Sequence, residues 1–73
     1  MSFTKIKNKM KALWISYVEY GDDSYNEFWH ALRTLKNVDM LPYETWKKVV
    51  EYDHWLFEHI TNSEDIMKER KAL

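Results

Sequence analysis

Two pairs of glutamate and histidine have the spacing that metal-binding helices use. Glu27 and His30 stand three residues apart, as do Glu51 and His54, and this Glu-x-x-His spacing supplies metal ligands in four-helix di-iron proteins. Helical phase argues against a site here, because each pair lies away from the apolar stripe of its own segment. The chain also has no Cys, which removes the common zinc ligand sets. We therefore predict no bound metal and no cofactor.

Side chains for covalent or acid–base catalysis are equally scarce. His54, Glu58 and His59 lie close together late in the third apolar segment, but no nucleophile has a base at a defensible spacing. A single Gly excludes a glycine-rich loop that could hold a phosphate. A chain of 73 residues also has little room for a substrate pocket. We expect no enzymatic activity.

Asp53 is the polar residue whose position is most informative. It falls in the centre of an apolar stripe, among Trp46, Val50 and Phe57. A buried carboxylate is costly unless a donor satisfies it. The expected donor is a Trp indole N–H, a Tyr hydroxyl or a Lys of the first helix, and the expected role is to fix helix register. The alternative is that this end of the stripe is open to a partner.

The composition indicates a few helices joined by short loops. One Gly and one Pro are too few for a β fold, which needs a turn about every 8–12 residues. No apolar run approaches the roughly 18 residues of a membrane-spanning helix. Lysines interrupt the N-terminal segment where an export signal would need an apolar core, so the cytoplasm is the default location. A net charge of −1 gives no strong overall attraction to nucleic acid or membrane.

Apolar periodicity and capping residues predict four helices, at about residues 3–20, 24–36, 42–60 and 63–71. Ser2 is a suitable N-cap, Gly21 suits a left-handed helix end, and Ser24 with Glu27 has the pattern of a capping box. Short connections favour antiparallel neighbours. The predicted fold is all-α, a compact three-helix bundle with a short fourth C-terminal helix. Its expected core consists of Trp14, Phe28, Leu32, Trp46, Val50 and Phe57.

The aromatic content suggests how so short a chain is used. A domain of this size buries only about 60% of its unfolded surface, and aromatic residues make up 16% of the chain. Most are in phase with the predicted core. Four large apolar residues are out of phase with the core. Either the fourth helix or the loop covers them, or they are exposed and form a contact surface, as Trp residues of interface hot spots do. The four residues are Trp29, Tyr52, Trp55 and Ile15.

We therefore expect a small non-enzymatic protein-interaction module, such as an adaptor, a regulatory subunit or an inhibitor. Its partner would be another protein or a second copy of the chain, bound through the exposed aromatic helical face. The alternative is a small helix-turn-helix-like regulator that binds DNA with the start of the third helix. Its candidate nucleic-acid contacts are Tyr43, Thr45, Lys47 and Lys48.

Overall fold

The computed structural model describes residues 2–71 and confirms the all-α prediction, with four helices and no strand in that range. The second helix ends one residue later than expected, and the third begins one residue later and ends one residue earlier. The helices are α1 (Phe3–Tyr20), α2 (Ser24–Asn37), α3 (Tyr43–His59) and α4 (Ser63–Lys71). Three of them form a bundle, and the short α4 packs against its side.

Both predicted ends of α1 are confirmed. The Ser2 hydroxyl oxygen accepts a hydrogen bond from the backbone N–H of Lys5 at 3.4 Å, which satisfies one of the free donors of the first turn. Gly21 has a φ of +72° and donates its N–H to the carbonyl of Tyr17 at 2.9 Å. A residue with a side chain is strained in this left-handed conformation, so glycine suits the position.

The predicted capping box at the start of α2 is wrong. Ser24 is already the first helical residue, and it donates both its backbone N–H, at 3.0 Å, and its hydroxyl, at 2.7 Å, to the carboxylate of Asp22. Because both donors of Ser24 are bound to Asp22 and the Glu27 N–H donates to the carbonyl of Asp23, the two contacts expected between Ser24 and Glu27 do not form. The two hydrogen bonds from Ser24 lower the pKa of Asp22.

Ring contacts fix the direction of α2 relative to α1. Trp14 of α1 meets Tyr25 near the start of α2, with the ring centroids 5.1 Å apart. One and a half turns earlier on α1, the ammonium of Lys9 lies 5.4 Å from the centroid of Phe28. Residue numbers fall along α1 as they rise along α2, so the two helices are antiparallel.

The same reasoning shows that α3 runs parallel to α1. The ammonium of Lys48 lies 5.8 Å from the ring centroid of Phe3. Towards the other end, the indole N–H of Trp14 donates to the carbonyl of Ile60 at 2.7 Å. The N-terminal halves of α1 and α3 therefore lie at the same end of the bundle as the C-terminal half of α2.

The core is more aliphatic than the sequence pattern indicates. Of the six residues expected at its centre, only Leu32 is buried. Phe57 is 69% exposed, and the other four are half-buried, namely Trp14, Phe28, Trp46 and Val50. Large rings span the seams between helices in a bundle this thin, where smaller branched side chains fit inside. The buried residues are Ile6, Met10, Tyr25, Leu32, Leu41, Val49, Leu56, Ile60 and Ile66.

The prediction that Phe57 lies in the core is wrong because the buried side of α3 has a different centre. The inward side of α3 is set by Val49, Leu56 and Ile60, each fully buried. One residue turns an α-helix by about 100°, so a stripe centred on Leu56 carries its neighbour Phe57 out of the core.

The loop between α2 and α3 closes one end of the bundle with a single side chain. Leu41 is buried, whereas Val38 is 56% exposed and Met40 72% exposed. Asp39 has a φ of +58°, a left-handed conformation that Asp tolerates better than most residues. This residue reverses the chain after α2 and brings Leu41 back over the core.

Helix α4 is held by one buried side chain and two ion pairs. Ile66 is buried in the core, Lys11 pairs with Glu69 at 2.6 Å, and Arg70 pairs with Glu19 at 2.9 Å. Both acidic–basic pairs join α4 to α1. Within residues 2–71 no helix combines the length and the hydropathy needed to cross a lipid bilayer.

Candidate protein-interaction surfaces

Asp53 is hydrogen-bonded, as its position on α3 predicts, and the donor is a tyrosine. The hydroxyl of Tyr25 on α2 donates to Asp53 Oδ1 at 2.5 Å. Tyr25 is buried and Asp53 is half-buried. Burial, followed by the hydrogen bond and the charge of Asp53, raises the pKa of Tyr25 above its usual range. The hydroxyl therefore stays protonated at neutral pH and links α2 to α3.

A cluster of rings lies next to this hydrogen bond, and the rings line an open depression together with Tyr25 and Asp53. Trp14 stacks on Tyr17 at 5.3 Å between centroids and meets the ring of Tyr25 edge-on. Phe57 lies 6.2 Å from Trp14 on the other side. The indole of Trp14 is fixed by its hydrogen bond to the carbonyl of Ile60. The orientation of the Trp14 ring is therefore set within the chain itself.

We call Trp14, Tyr17 and Phe57 the aromatic face. Phe57 is 69% exposed and Tyr17 is 42% exposed, although the sequence pattern placed Phe57 in the core. An open depression of about 630 Å³ lies along the face, bordered also by Val18, Gly21 and Thr61. The buried phase of α3, centred on Leu56, is the signal in the sequence that could have identified Phe57 as exposed.

A second surface lies between α1 and α3, and we call it the basic groove. Its volume is about 460 Å³. Two of its lysines cover rings: Lys7 lies 5.3 Å from the centroid of Tyr52, and Lys48 lies 5.8 Å from that of Phe3. Its lining consists of Phe3, Lys7, Lys11, Lys48, Glu51, Tyr52 and Trp55.

Tyr52 and Trp55, two of the residues expected to be exposed, are half-buried in this groove. Their rings stack at 5.6 Å with an angle of 7° between the planes, and the ring of His59 stacks on Trp55 at 4.7 Å. The expectation of full exposure is wrong because α1 packs along this side of α3. The ring edges of the stack still reach the groove.

The other two residues, Trp29 and Ile15, are also half-buried and lie away from the groove. Trp29 packs against Trp46 with the centroids 5.2 Å apart, and Ile15 packs on the core. The expected exposure is wrong for both, because neighbouring helices cover residues that are off phase on their own helix. The structure therefore brings Tyr52 and Trp55 together but does not join them to Trp29 or Ile15.

The candidate nucleic-acid contacts lie at the start of α3. Tyr43 is 65% exposed, Lys47 and Lys48 are exposed, and Thr45 is half-buried. Only Lys48 also borders the basic groove. These residues present a small basic and aromatic surface beside the groove.

Within residues 2–71 no three His, Asp or Glu side chains come close enough to hold a metal ion, and this includes the two Glu-x-x-His pairs. Comparison of the chain with models of known protein families, with curated proteins and with solved structures finds no match. The candidate surfaces among the described residues are therefore the aromatic face and the basic groove.

Proposed function

We propose that this chain is a small non-enzymatic protein-interaction module that binds a protein partner through the aromatic face. The observation that carries the proposal is the exposure of Phe57, 69%, beside Tyr17 and the fixed ring of Trp14. Soluble monomers rarely leave large apolar clusters open to water without a role for them. Rigid aromatic side chains also dominate binding energy at protein interfaces, because they lose little conformational entropy on contact.

The size of the module favours a role as an adaptor, a regulatory subunit or an inhibitor in the cytoplasm. Its surfaces are shallow and open, which suits occupation of a partner's surface better than enclosure of a substrate. The ring cluster is fixed by hydrogen bonds at Trp14 and Tyr25, and this preorganisation lowers the entropic cost of binding.

The alternative function is a small helix-turn-helix-like regulator that contacts DNA through Tyr43, Thr45, Lys47 and Lys48. The exposure of Tyr43 and Lys47 supports it. Against it, Thr45 is half-buried, and the ammonium of Lys48 is turned onto Phe3. Binding to duplex DNA that falls steeply with salt and is reduced by Lys47→Gln together with Lys48→Gln would favour this alternative.

Site-specific photocrosslinking tests the proposed function. Benzoylphenylalanine in place of Phe57 is introduced into the chain in the cells that naturally produce it, and the cells are irradiated. We expect a crosslinked protein adduct from this position. The matched control places the same photoreactive residue at His30, which is exposed on α2 away from the face. Absence of an adduct at position 57, or equal adducts at both positions, would contradict the proposal.

A further inference from the structure

The net charge of −1 conceals two strongly charged ends. Residues 2–11 and 33–48 contain eight Lys and Arg and only two Asp and Glu. Residues 12–32 and 49–65 contain nine Asp and Glu and no Lys or Arg. The helix directions gather the first two segments at one end of the bundle and most of the last two at the other. The start of segment 49–65, with Glu51 and Tyr52, lies beside Lys7 in the basic groove. Residues 66–71 of α4 carry three further Lys and Arg and one Glu.

A neighbouring molecule meets each end separately. The molecule is 38 Å long, whereas the Debye length at physiological salt is about 8 Å. The charge at one end is therefore screened from a partner at the other end, and the small net charge does not describe either surface. The basic end attracts acidic surfaces, and the acidic end attracts basic ones.

Each of the two aromatic surfaces lies at one of these ends. The basic groove carries Lys7 and Lys48, whose ammonium groups cover rings and make no ion pair within the described residues. The aromatic face is bordered by carboxylates. Asp53 lines a depression together with Phe57, and Asp65 accepts two hydrogen bonds from Thr61, which borders the face.

We propose that the basic groove binds the aromatic face of a second copy of this chain, so that the copies associate head to tail. The inference rests on the proposed function, because it assumes that the aromatic face is a contact surface. In this contact Phe57 and Tyr17 of one copy pack on the ring edges of Tyr52 and Trp55 in the other. Lys7 and Lys48 face the carboxylates that border the incoming face.

The charge pattern favours a second copy over other occupants of the groove. The required partner combines exposed rings with a border of carboxylates. The acidic end of this chain has both properties, and its carboxylates outnumber the cations that α4 brings to it, Lys68 near Asp65 and Arg70 paired with Glu19. Because groove and face are different surfaces, each copy in such a contact still has one surface free, and the assembly extends beyond a dimer unless it closes into a ring.

Two complementary variants test the proposal by sedimentation equilibrium. The groove variant combines Lys7→Glu with Lys48→Glu, and the face variant is Phe57→Ala. The wild-type mass is expected to rise above the 9.0 kDa monomer with concentration and to fall as salt is added. Each variant alone is expected to remain monomeric. Reversed charges in the groove raise the dissociation constant of the groove variant about tenfold or more, and the face variant lacks the ring that the groove binds. An equimolar mixture is expected to form a species of twice the monomer mass, in which the intact face of the groove variant binds the intact groove of the face variant.

The outcomes separate the two proposals. If the groove variant associates by itself and the face variant does not, copies bind face to face, and the head-to-tail inference is overturned while the proposed function stands. A mixture that stays monomeric, or a wild-type chain that is monomeric at every concentration, also overturns the inference. An adduct from position 57 to a different protein would then still support the proposed function.

Two controls keep the result interpretable. All replaced side chains are exposed, so each variant should keep the wild-type melting temperature, and a groove variant that melts early is replaced by Lys7→Gln with Lys48→Gln. Glu51 is the acidic residue in the lining of the groove. Glu51→Gln should therefore tighten association, and a weaker association in this variant would count against a carboxylate-bordered occupant.

Discussion

The aromatic face and the basic groove are built from the same residue types but differ in what surrounds the rings. In the groove, lysines lie over Phe3 and Tyr52, and Trp55 is stacked on both sides. On the aromatic face, no Lys or Arg within residues 2–71 lies over the ring of Phe57 or Tyr17. The carboxylates of Asp53 and Asp65 border this face. The comparison shows that aromatic content alone does not identify a contact surface. Neighbouring charge and the exposure of the rings distinguish the two surfaces.

A pair of adjacent residues on α3 gives the largest contrast between core and surface. Leu56 is fully buried and Phe57 is mostly exposed. We expect Leu56→Ala to lower the free energy of unfolding by about 2–5 kcal/mol, because it leaves a cavity in the core. Phe57→Ala should lower it by less than about 1 kcal/mol. Urea unfolding of both variants at low protein concentration measures the difference.

The comparison would fail if the two substitutions had similar effects. A large loss of stability in Phe57→Ala would show that Phe57 is part of the core and that the aromatic face is not a free surface. Low protein concentration matters here, because association would add to the apparent stability of the wild-type chain.

The hydrogen bond beneath the aromatic face should have the next largest effect. Tyr25→Phe removes the donor to Asp53 and leaves a half-buried carboxylate without its partner. We expect a loss of about 1–2 kcal/mol in the free energy of unfolding at pH 7. Asp53→Asn is the matched variant, because its amide oxygen can still accept from Tyr25 and should retain part of the stability.

The same hydrogen bond predicts how stability changes at alkaline pH. The pKa of Tyr25 is raised in the folded state, so folding favours the neutral phenol. Its contribution is complete below the unfolded pKa of about 10 and is lost as the pH rises above that value. The stability difference between wild type and Tyr25→Phe should shrink from about pH 10 upward. A difference that stays constant there would show that the phenol is not held neutral by folding.

The ion pairs of α4 should have the smallest effect. Glu69→Gln breaks the ion pair with Lys11. The side chain of Glu69 is 26% exposed, and that of Lys11 is 29% exposed. We expect a loss of less than about 1 kcal/mol, and a smaller one at high salt. Thermal melts at low and high salt measure it. A salt-independent loss would indicate that Glu69 acts through packing.

The sequence was sufficient to predict the helices and insufficient to predict which aromatic side chains are exposed. Helix ends depend on local chemistry, such as the cap at Ser2 and the left-handed Gly21, and these are readable within a few residues. Exposure depends on which neighbouring helix covers a residue. Trp29 is off phase on α2 but packs against Trp46. On α3, an error of one residue in the centre of the buried stripe predicts burial of Phe57 in place of Leu56.

The hydrogen bond of Asp53 likewise combines a feature that the local sequence predicts with one that depends on the neighbouring helix. A carboxylate among apolar residues is enough to predict a hydrogen bond. The choice among Trp, Tyr and Lys depends on the register between α2 and α3, which brings Tyr25 opposite Asp53. The basic and acidic segments can be read from the sequence, but they alternate along the chain, and only the helix directions show which of them lie at the same end of the bundle.

The most direct test of head-to-tail contact through the aromatic face is a concentration series of two-dimensional NMR spectra. The backbone amides of Tyr17 and Phe57 report on the face, and those of Lys7 and Tyr52 report on the groove. We predict that both sets shift together with one dissociation constant, and that added salt reverses both. Shifts confined to the face, or no shifts at either surface, would contradict the account.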